Sequence, residues 1–144
     1  MGTKRDLVYE GLGFSVVLRN CPVTMVRGAE APDIDLNKLM AQVFAMLIMF
    51  PMHLTGSHVR FIRSYLELSQ KDFAKLLNQS GHSIVSTWES KKAEPTGMDF
   101  NTELILRQRM ALHTRMIRPE SLLEGFDIKD GTAKDPIEVN LDAA

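Results

Sequence analysis

The chain has 144 residues, of which 44% are hydrophobic and 24% charged, so it has enough apolar material for a core and too much for a wholly disordered chain. Its single cysteine, Cys21, excludes an internal disulfide and a cysteine-rich zinc site. The N-terminus MGTKRDLVYE lacks the apolar segment of a signal peptide, and the most apolar stretch, Leu39–Phe50, is shorter than the roughly 20 residues that span a bilayer. We therefore expect a cytoplasmic protein with no membrane partner.

The formal net charge of −1 conceals an uneven distribution of charge along the chain. Residues 58–118 hold ten basic and six acidic side chains, whereas residues 119–144 hold two basic and seven acidic ones. A basic middle followed by an acidic end is typical of a nucleic-acid-binding domain with a solvated extension. An excess of this size also arises by chance, so charge alone does not decide the function.

The first predicted element is a small β-hairpin within residues 7–27. Apolar residues alternate over Phe14–Leu18, Asn20–Pro22 has the composition of a turn, and Val23–Val26 returns as a second short strand. Because a two-stranded hairpin is marginally stable alone, we expect it to pack on another element.

A helix is predicted next, from about Ile34 to Met49, with Asp33 as its N-cap and Pro51 ending it. Its second half, VFAMLIMF, is apolar on every face, which is typical of a helix that is buried on several sides. This helix can belong to the core or to a dimer interface, and the two alternatives are not exclusive.

Two amphipathic helices are predicted further along the chain. Thr55 is the expected N-cap of the first, GSHVRFIRSYL, in which Val59 and Ile62 lie on one stripe. The second is predicted over Met98–Met116, with an apolar side and a basic side. Its apolar residues are Leu104, Leu106, Met110 and Leu112, and its basic residues are Arg107, Arg109 and Arg115.

Between these helices lies LELSQKDFAKLLNQSGHSIVSTWESKKAEP, Leu66–Pro95, which predicts two short helices joined by a polar turn at Asn78–Gly81. Ser69 is the expected N-cap of the first helix, and Asp72 occupies its third position, where the two residues can satisfy each other's amides. The second helix directs Val85 and Trp88, together with Ile84, inward. Its other side carries small polar residues, namely His82, Ser83, Ser86, Thr87 and Ser90.

Two short helices that cross at a small residue, here Ala74, form a helix-turn-helix unit, which presents its second helix to the major groove of DNA. Small polar side chains can donate and accept hydrogen bonds at base edges. The N-terminus of the first helix can bind a phosphate, and two lysines follow the second helix. The predicted DNA-binding residues are Ser69, Gln70, His82, Ser83, Ser86, Thr87, Ser90, Lys91 and Lys92.

The residues LSQKDFAKLL and SIVSTWESKKAEP resemble the Cro/repressor-type (XRE-like) helix-turn-helix family, whose pattern is roughly LSQxxLAxxL followed by VSxWExGxxxP. The stretch LTGSHVRFIRSYLELSQKDFA is most similar to the DNA-binding half of MqsA-type antitoxins, whose cysteine-rich zinc domain has no counterpart here. The resemblance covers about residues 54–116. It implies that Ser83 and Thr87 contact bases, that His82 and Ser86 lie near the DNA backbone, and that the guanidinium of Arg63 pairs with Glu89.

An enzyme is disfavoured by the distribution of reactive side chains. The four histidines are scattered along the sequence, and it has no nucleophile elbow, phosphate-binding loop or carboxylate cluster. We therefore predict that the protein is not an enzyme and uses no catalytic residue, metal or cofactor.

Taken together, the sequence predicts a mainly α fold, in which a five-helix-type helix-turn-helix domain follows a small N-terminal β-hairpin and helix. Residues 1–52 are assigned to dimerisation or partner binding, 53–118 to DNA binding, and 119–144 to a loosely attached acidic tail. The expected function is that of a homodimeric transcriptional repressor on double-stranded, palindromic DNA. The alternative is an antitoxin that binds a toxin protein and represses its own operon.

Overall fold

The computed structural model describes residues 3–124, 126–129 and 137–142. The chain divides into two compact units. The first consists of residues 1–43 and 135–144, and the second of residues 44–134.

The first unit is built around a four-stranded mixed sheet. Its strands are β1 (Lys4–Tyr9), β2 (Val16–Val26), β3 (Ala29–Pro32) and β4 (Ile137–Asn140). The long strand β2 pairs antiparallel with β1 and β3 and parallel with β4. Alternate residues of β2 and β4 are buried, which gives this unit one apolar sheet face.

The predicted turn at Asn20–Pro22 is wrong, because β2 runs through these residues. Arg5 lies opposite Cys21 and Leu7 opposite Leu18, so β2 has one residue more than β1 over this interval. This extra residue makes a β-bulge, in which Asn20 has a left-handed φ of 55°. The Asp6 carboxylate accepts the Asn20 N–H at 3.0 Å. Turn-forming residues thus mark a bulge rather than a chain reversal.

Strands β1 and β4 were not predicted, because charged residues hide their alternation. The guanidinium of Arg19 on β2 bridges to Asp6 on β1 at 2.9 Å and to Glu138 on β4 at 2.8 Å. Such cross-strand pairs stabilise neighbouring strands on the exposed face of a sheet. Part of the segment that was assigned to a loosely attached acidic tail is therefore a strand with two buried side chains, Ile137 and Val139.

Helix α1 spans Leu36–Ile48 and begins in the first unit and ends in the second. The predicted N-cap Asp33 is wrong, because it is the carboxylate of Asp35 that accepts the Lys38 N–H, at 3.2 Å. Most of the apolar side chains of α1 are buried, including Leu39 and Phe44, so this helix is chiefly part of the core.

The second unit contains the end of α1 and four further helices. These are α2 (Gly56–Tyr65), α3 (Gln70–Leu76), α4 (His82–Ser90) and α5 (Phe100–Thr114), and a short 3-10 turn follows at Pro119–Leu122. The predicted caps are confirmed, because the Thr55 hydroxyl accepts the His58 N–H at 3.2 Å and the Ser69 hydroxyl accepts the Asp72 N–H at 3.1 Å. Helix α5 is capped by Asp99, whose carboxylate accepts the Thr102 N–H.

The predicted mainly α class is wrong. The described residues form five α-helices and a four-stranded mixed sheet, which is a mixed α/β architecture. The two strands of the predicted hairpin are a single strand, β2, and the other three strands of the sheet, β1, β3 and β4, were not predicted. No helix in the described ranges combines the length and the apolar character needed to cross a membrane.

Candidate nucleic-acid interface

Helices α3 and α4 are joined by a turn that reverses the chain within a few residues. Asn78 adopts a left-handed φ of 57° just after α3. The N–H of Gln79 then donates to the Ala74 carbonyl at 2.8 Å, and the N–H of Asn78 donates to the Lys75 carbonyl at 3.1 Å. These two bonds form a Schellman motif, which satisfies the last carbonyls of a helix and ends it.

The crossing of the two helices is close and apolar. Helix α3 packs on α4. Ala74, the small residue predicted at the crossing, is 1% exposed. Phe73 and Leu77 of α3 are also buried, as are Val85 and Trp88 of α4. Since α3 has only seven residues, its stability comes from this packing rather than from its own propensity.

The outer face of α4 carries the polar residues that the sequence placed there. All five are exposed, namely His82, Ser83, Ser86, Thr87 and Ser90. Lys91 and Lys92, which follow the helix, are also exposed. The hydroxyl of Thr87 donates to the Ser83 carbonyl at 3.0 Å, which leaves its oxygen lone pairs able to accept a hydrogen bond.

The C-terminal end of α4 is held against the start of α2. A Cβ at Gly56 would lie 2.5 Å from the Trp88 carbonyl oxygen and 2.6 Å from the Lys92 nitrogen, so only glycine fits here. The N–H of Ser57 donates to the Lys92 carbonyl at 2.9 Å, and the N–H of Gly56 donates to the Glu94 carbonyl at 3.1 Å. The free N–H groups at the start of α2 thus fix the position of the segment that follows α4.

The turn after α4 departs from the pattern of the resembled family. That pattern has glycine where this chain has Lys91, yet Lys91 has a right-handed helical φ of −70°. The left-handed residue is Lys92, with φ of 55°. In this chain a lysine therefore adopts the left-handed conformation, one residue after the position where the pattern has glycine.

The predicted ion pair between Arg63 and Glu89 is confirmed, and it is bidentate. Arg63 Nε lies 2.6 Å from Glu89 Oε2, and Nη2 lies 3.0 Å from Oε1. This pair joins α2 to α4, and the hydrogen bond to Glu89 raises the pKa of Arg63. The side-chain amide of Gln70 lies 3.5 Å from the same carboxylate. Gln70, predicted as a phosphate contact, is thereby linked to the pair that orients α4.

The pair also decides the charge that α4 presents. Glu89 is the only carboxylate in α4, and its side chain is 8% exposed and neutralised by Arg63. The outer face therefore shows neutral hydroxyls and one imidazole, followed by two lysines. The outer face of α4 itself therefore carries no carboxylate that would repel a phosphate.

A buried polar group that supports the site was not predicted from the sequence, because Arg107 was assigned to the basic side of its helix. Arg107 is fully buried and donates to the carbonyls of Ile48 at 3.1 Å, Phe50 at 2.5 Å and Met52 at 2.7 Å. It also donates to Glu103 at 3.1 Å. Arg107 thus satisfies carbonyls at and just after the end of α1.

Glu103 connects this arginine to the chain that enters α2. Its carboxylate accepts the Leu54 N–H at 2.6 Å and lies 2.7 Å from His53 Nδ1. The spacing of Glu103 and Arg107, four residues apart in the apolar run ELILR, is the sequence signal that could have revealed a buried pair.

His58 completes the buried polar group at the start of α2. Its Nδ1 accepts the Thr55 N–H at 3.1 Å, so histidine takes the place that glutamate or glutamine usually has in a capping box. Burial, together with the nearby charge of Arg107, lowers the pKa of His58 to about 4. The imidazole is therefore neutral at physiological pH.

No protein-family model matches the sequence, and no curated protein or solved structure is significantly similar to it.

Proposed function

We propose that this protein is a sequence-specific DNA-binding transcriptional regulator of the Cro/repressor type. The observation that carries the proposal is the outer face of α4, which is polar, exposed and free of unpaired carboxylates. Helix α4 enters the major groove, where Ser83 and Thr87 lie four residues apart on one face and reach base edges. The protein acts in the cytoplasm as a dimer on a palindromic operator.

In this mechanism the remaining predicted residues set the register on the DNA backbone. The amides at the start of α3, beside Ser69 and Gln70, face one phosphate, and Lys91 and Lys92 face others. His82 and Ser86 flank the base-reading residues. Bound in this way, the protein excludes RNA polymerase from the promoter, which makes it a repressor by occlusion.

The first test is a gel-shift titration with DNA from just upstream of the gene's own start, against a scrambled competitor, at two salt concentrations. Retention of the upstream DNA by the wild-type protein at physiological salt supports specific binding. Absence of retention of any DNA at low salt contradicts the proposal, because the phosphate contribution is strongest there.

The variant Lys91→Ala/Lys92→Ala tests the proposed phosphate contacts. Binding to all DNA sequences should weaken, and the slope of log K against log salt should fall by about two, since each phosphate contact contributes about 0.9. The matched control is Lys38→Ala/Lys129→Ala, which removes two other exposed lysines. An unchanged slope in the first variant would remove these residues from the interface.

An antitoxin is the second candidate, favoured by the similarity of LTGSHVRFIRSYLELSQKDFA to the DNA-binding half of MqsA-type antitoxins. Both candidates bind operator DNA, so DNA binding does not separate them. An antitoxin co-purifies with the product of a neighbouring toxin gene and blocks its toxicity on co-expression. A plain repressor does neither.

A further inference from the structure

Helix α5 has apolar residues on two opposite faces. Leu106, Met110 and Ala111 face the core and are at most 1% exposed. Ile105 and Leu112 are 39% and 59% exposed. These two lie seven residues apart, which is two helical turns, so they share one stripe on the solvent side. A surface helix normally presents polar residues to solvent, and these two apolar residues depart from that pattern.

The charged side chain within this stripe is positive. Arg109 lies between Ile105 and Leu112, is exposed, and makes no ion pair with any residue in the described ranges. The only carboxylate in α5 is Glu103, which is buried and bonded to Arg107. We call Ile105, Arg109 and Leu112 the α5 outer stripe. It combines exposed apolar surface with an unneutralised positive charge.

We propose that the α5 outer stripe is a docking surface for an acidic amphipathic helix of another protein. Apolar side chains at a seven-residue spacing on the partner can pack against Ile105 and Leu112, as in other helix-in-groove and helix-pair contacts. A glutamate or aspartate between them on the partner lies opposite Arg109. This inference uses no residue of the proposed DNA interface and does not depend on DNA binding.

Charge complementarity favours such a partner over a second copy of this chain. If two α5 helices paired antiparallel about a two-fold axis, Ile105 of one copy would face Leu112 of the other. The axis would then pass near residues 108 and 109, because these lie midway between the two apolar residues. Arg109 of one copy would lie opposite Gln108 of the other, so the two Arg109 side chains would lie side by side next to the axis, where like charges are unfavourable.

The test uses two synthetic peptide helices with leucines at the same seven-residue spacing, flanked in one peptide by glutamates and in the other by lysines. Each is titrated into the ¹⁵N-labelled full chain and followed by NMR chemical shifts. The acidic peptide is expected to bind at least about tenfold more tightly than the basic one, with shifts concentrated on α5. Equal affinities, or shifts elsewhere in the chain, would overturn the proposal.

Two variants sharpen the result. Arg109→Glu should reverse the preference between the two peptides, and Leu112→Gln should abolish binding of the acidic peptide. Leu123→Gln is the matched control, because Leu123 is 66% exposed and lies outside α5. Binding that survives Leu112→Gln, or a preference that survives Arg109→Glu, would contradict the proposed contacts.

Sedimentation velocity separates this proposal from self-association. If Leu112→Gln converts a dimer into a monomer and the acidic peptide does not bind the wild-type chain, the stripe is an interface between copies and the proposal is wrong. Gel shifts with operator DNA, run on the same variants, report separately on the proposed function. Loss of peptide binding with DNA retention intact therefore bears only on the α5 outer stripe.

Discussion

Two of the arginine–glutamate pairs in the second unit use the same chemical groups for different purposes. Arg63 and Glu89 lie on separate helices, and their side chains are 18% and 8% exposed. Glu103 and Arg107 lie four residues apart on one helix and are 1% and 0% exposed. The first pair fixes one helix against another. The second pair supplies a buried segment of main chain with hydrogen-bond partners.

The difference shows what each arginine stabilises. Arg63 makes two bonds to a carboxylate and one to the Leu68 carbonyl, so most of its donors serve its charged partner. Arg107 donates mainly to main-chain carbonyls at and just after the end of α1. Burial lowers the pKa of Arg107, and the charge of Glu103 opposes that shift. Loss of Arg107 therefore leaves several buried acceptors unpaired, whereas loss of Arg63 leaves chiefly one carboxylate.

The largest effect is expected for Arg107→Met, which breaks the buried pair. It removes the cationic partner of Glu103 and the donor to the carbonyls of Phe50 and Met52, and should lower the free energy of unfolding by about 3–5 kcal/mol. Urea denaturation followed by circular dichroism measures this loss. Arg109→Met, an exposed arginine on the same helix, should change stability by no more than about 0.5 kcal/mol. Equal losses in both variants would refute the role assigned to Arg107.

Acidification tests the same buried region through His58. The folded pKa of about 4 lies below the ordinary value of 6.5, so the unfolded chain binds the proton first. The stability that neutral His58 contributes is complete above pH 6.5 and is lost as pH falls toward 4, which amounts to about 3–4 kcal/mol at about 1.4 kcal/mol per unit of pKa.

His58→Gln is the matched control for this pH dependence. Glutamine is a common partner in a capping box, so it can accept the Thr55 N–H without titrating. Urea denaturation of both proteins between pH 7 and pH 4 should show a smaller loss in the variant. Parallel curves would mean that other groups cause the acid sensitivity.

Some features of the two units could be predicted from the sequence, and others could not. The caps Thr55 and Ser69 depend on residues within one turn of the chain, and Arg63–Glu89 follows a recurrent pattern of the resembled family. Arg107 was misassigned because helical periodicity gives the direction of a side chain but not what lies over it. A strand of charged residues such as Lys4–Asp6 is recognisable only from its partner strand, which lies elsewhere in the sequence.

A smaller effect is expected for Arg63→Met, which breaks the partly exposed pair. Stability should fall by about 2 kcal/mol, because Glu89 is left nearly buried without its partner. The freed negative charge on α4 should also weaken DNA binding in the gel-shift assay. Glu89→Gln, which leaves no negative charge on α4, should lose stability but bind DNA more tightly than Arg63→Met. If both variants bind DNA equally, neutralisation of Glu89 is not what the interface requires.

The smallest effect concerns Thr87, on the outer face that the Arg63–Glu89 pair orients. Its hydroxyl already donates to the Ser83 carbonyl, so it can serve a base only as an acceptor, from an amino group of adenine or cytosine. Thr87→Val keeps the shape and removes the acceptor. It should cost about 1 kcal/mol at one base pair, since a single hydroxyl cannot make a bidentate contact. Competition gel shifts with operators altered one base pair at a time measure this, and Thr87→Ser should retain the preference. An equal loss on operator and scrambled DNA would place Thr87 against the DNA backbone instead, and would leave Ser83 as the base-reading candidate.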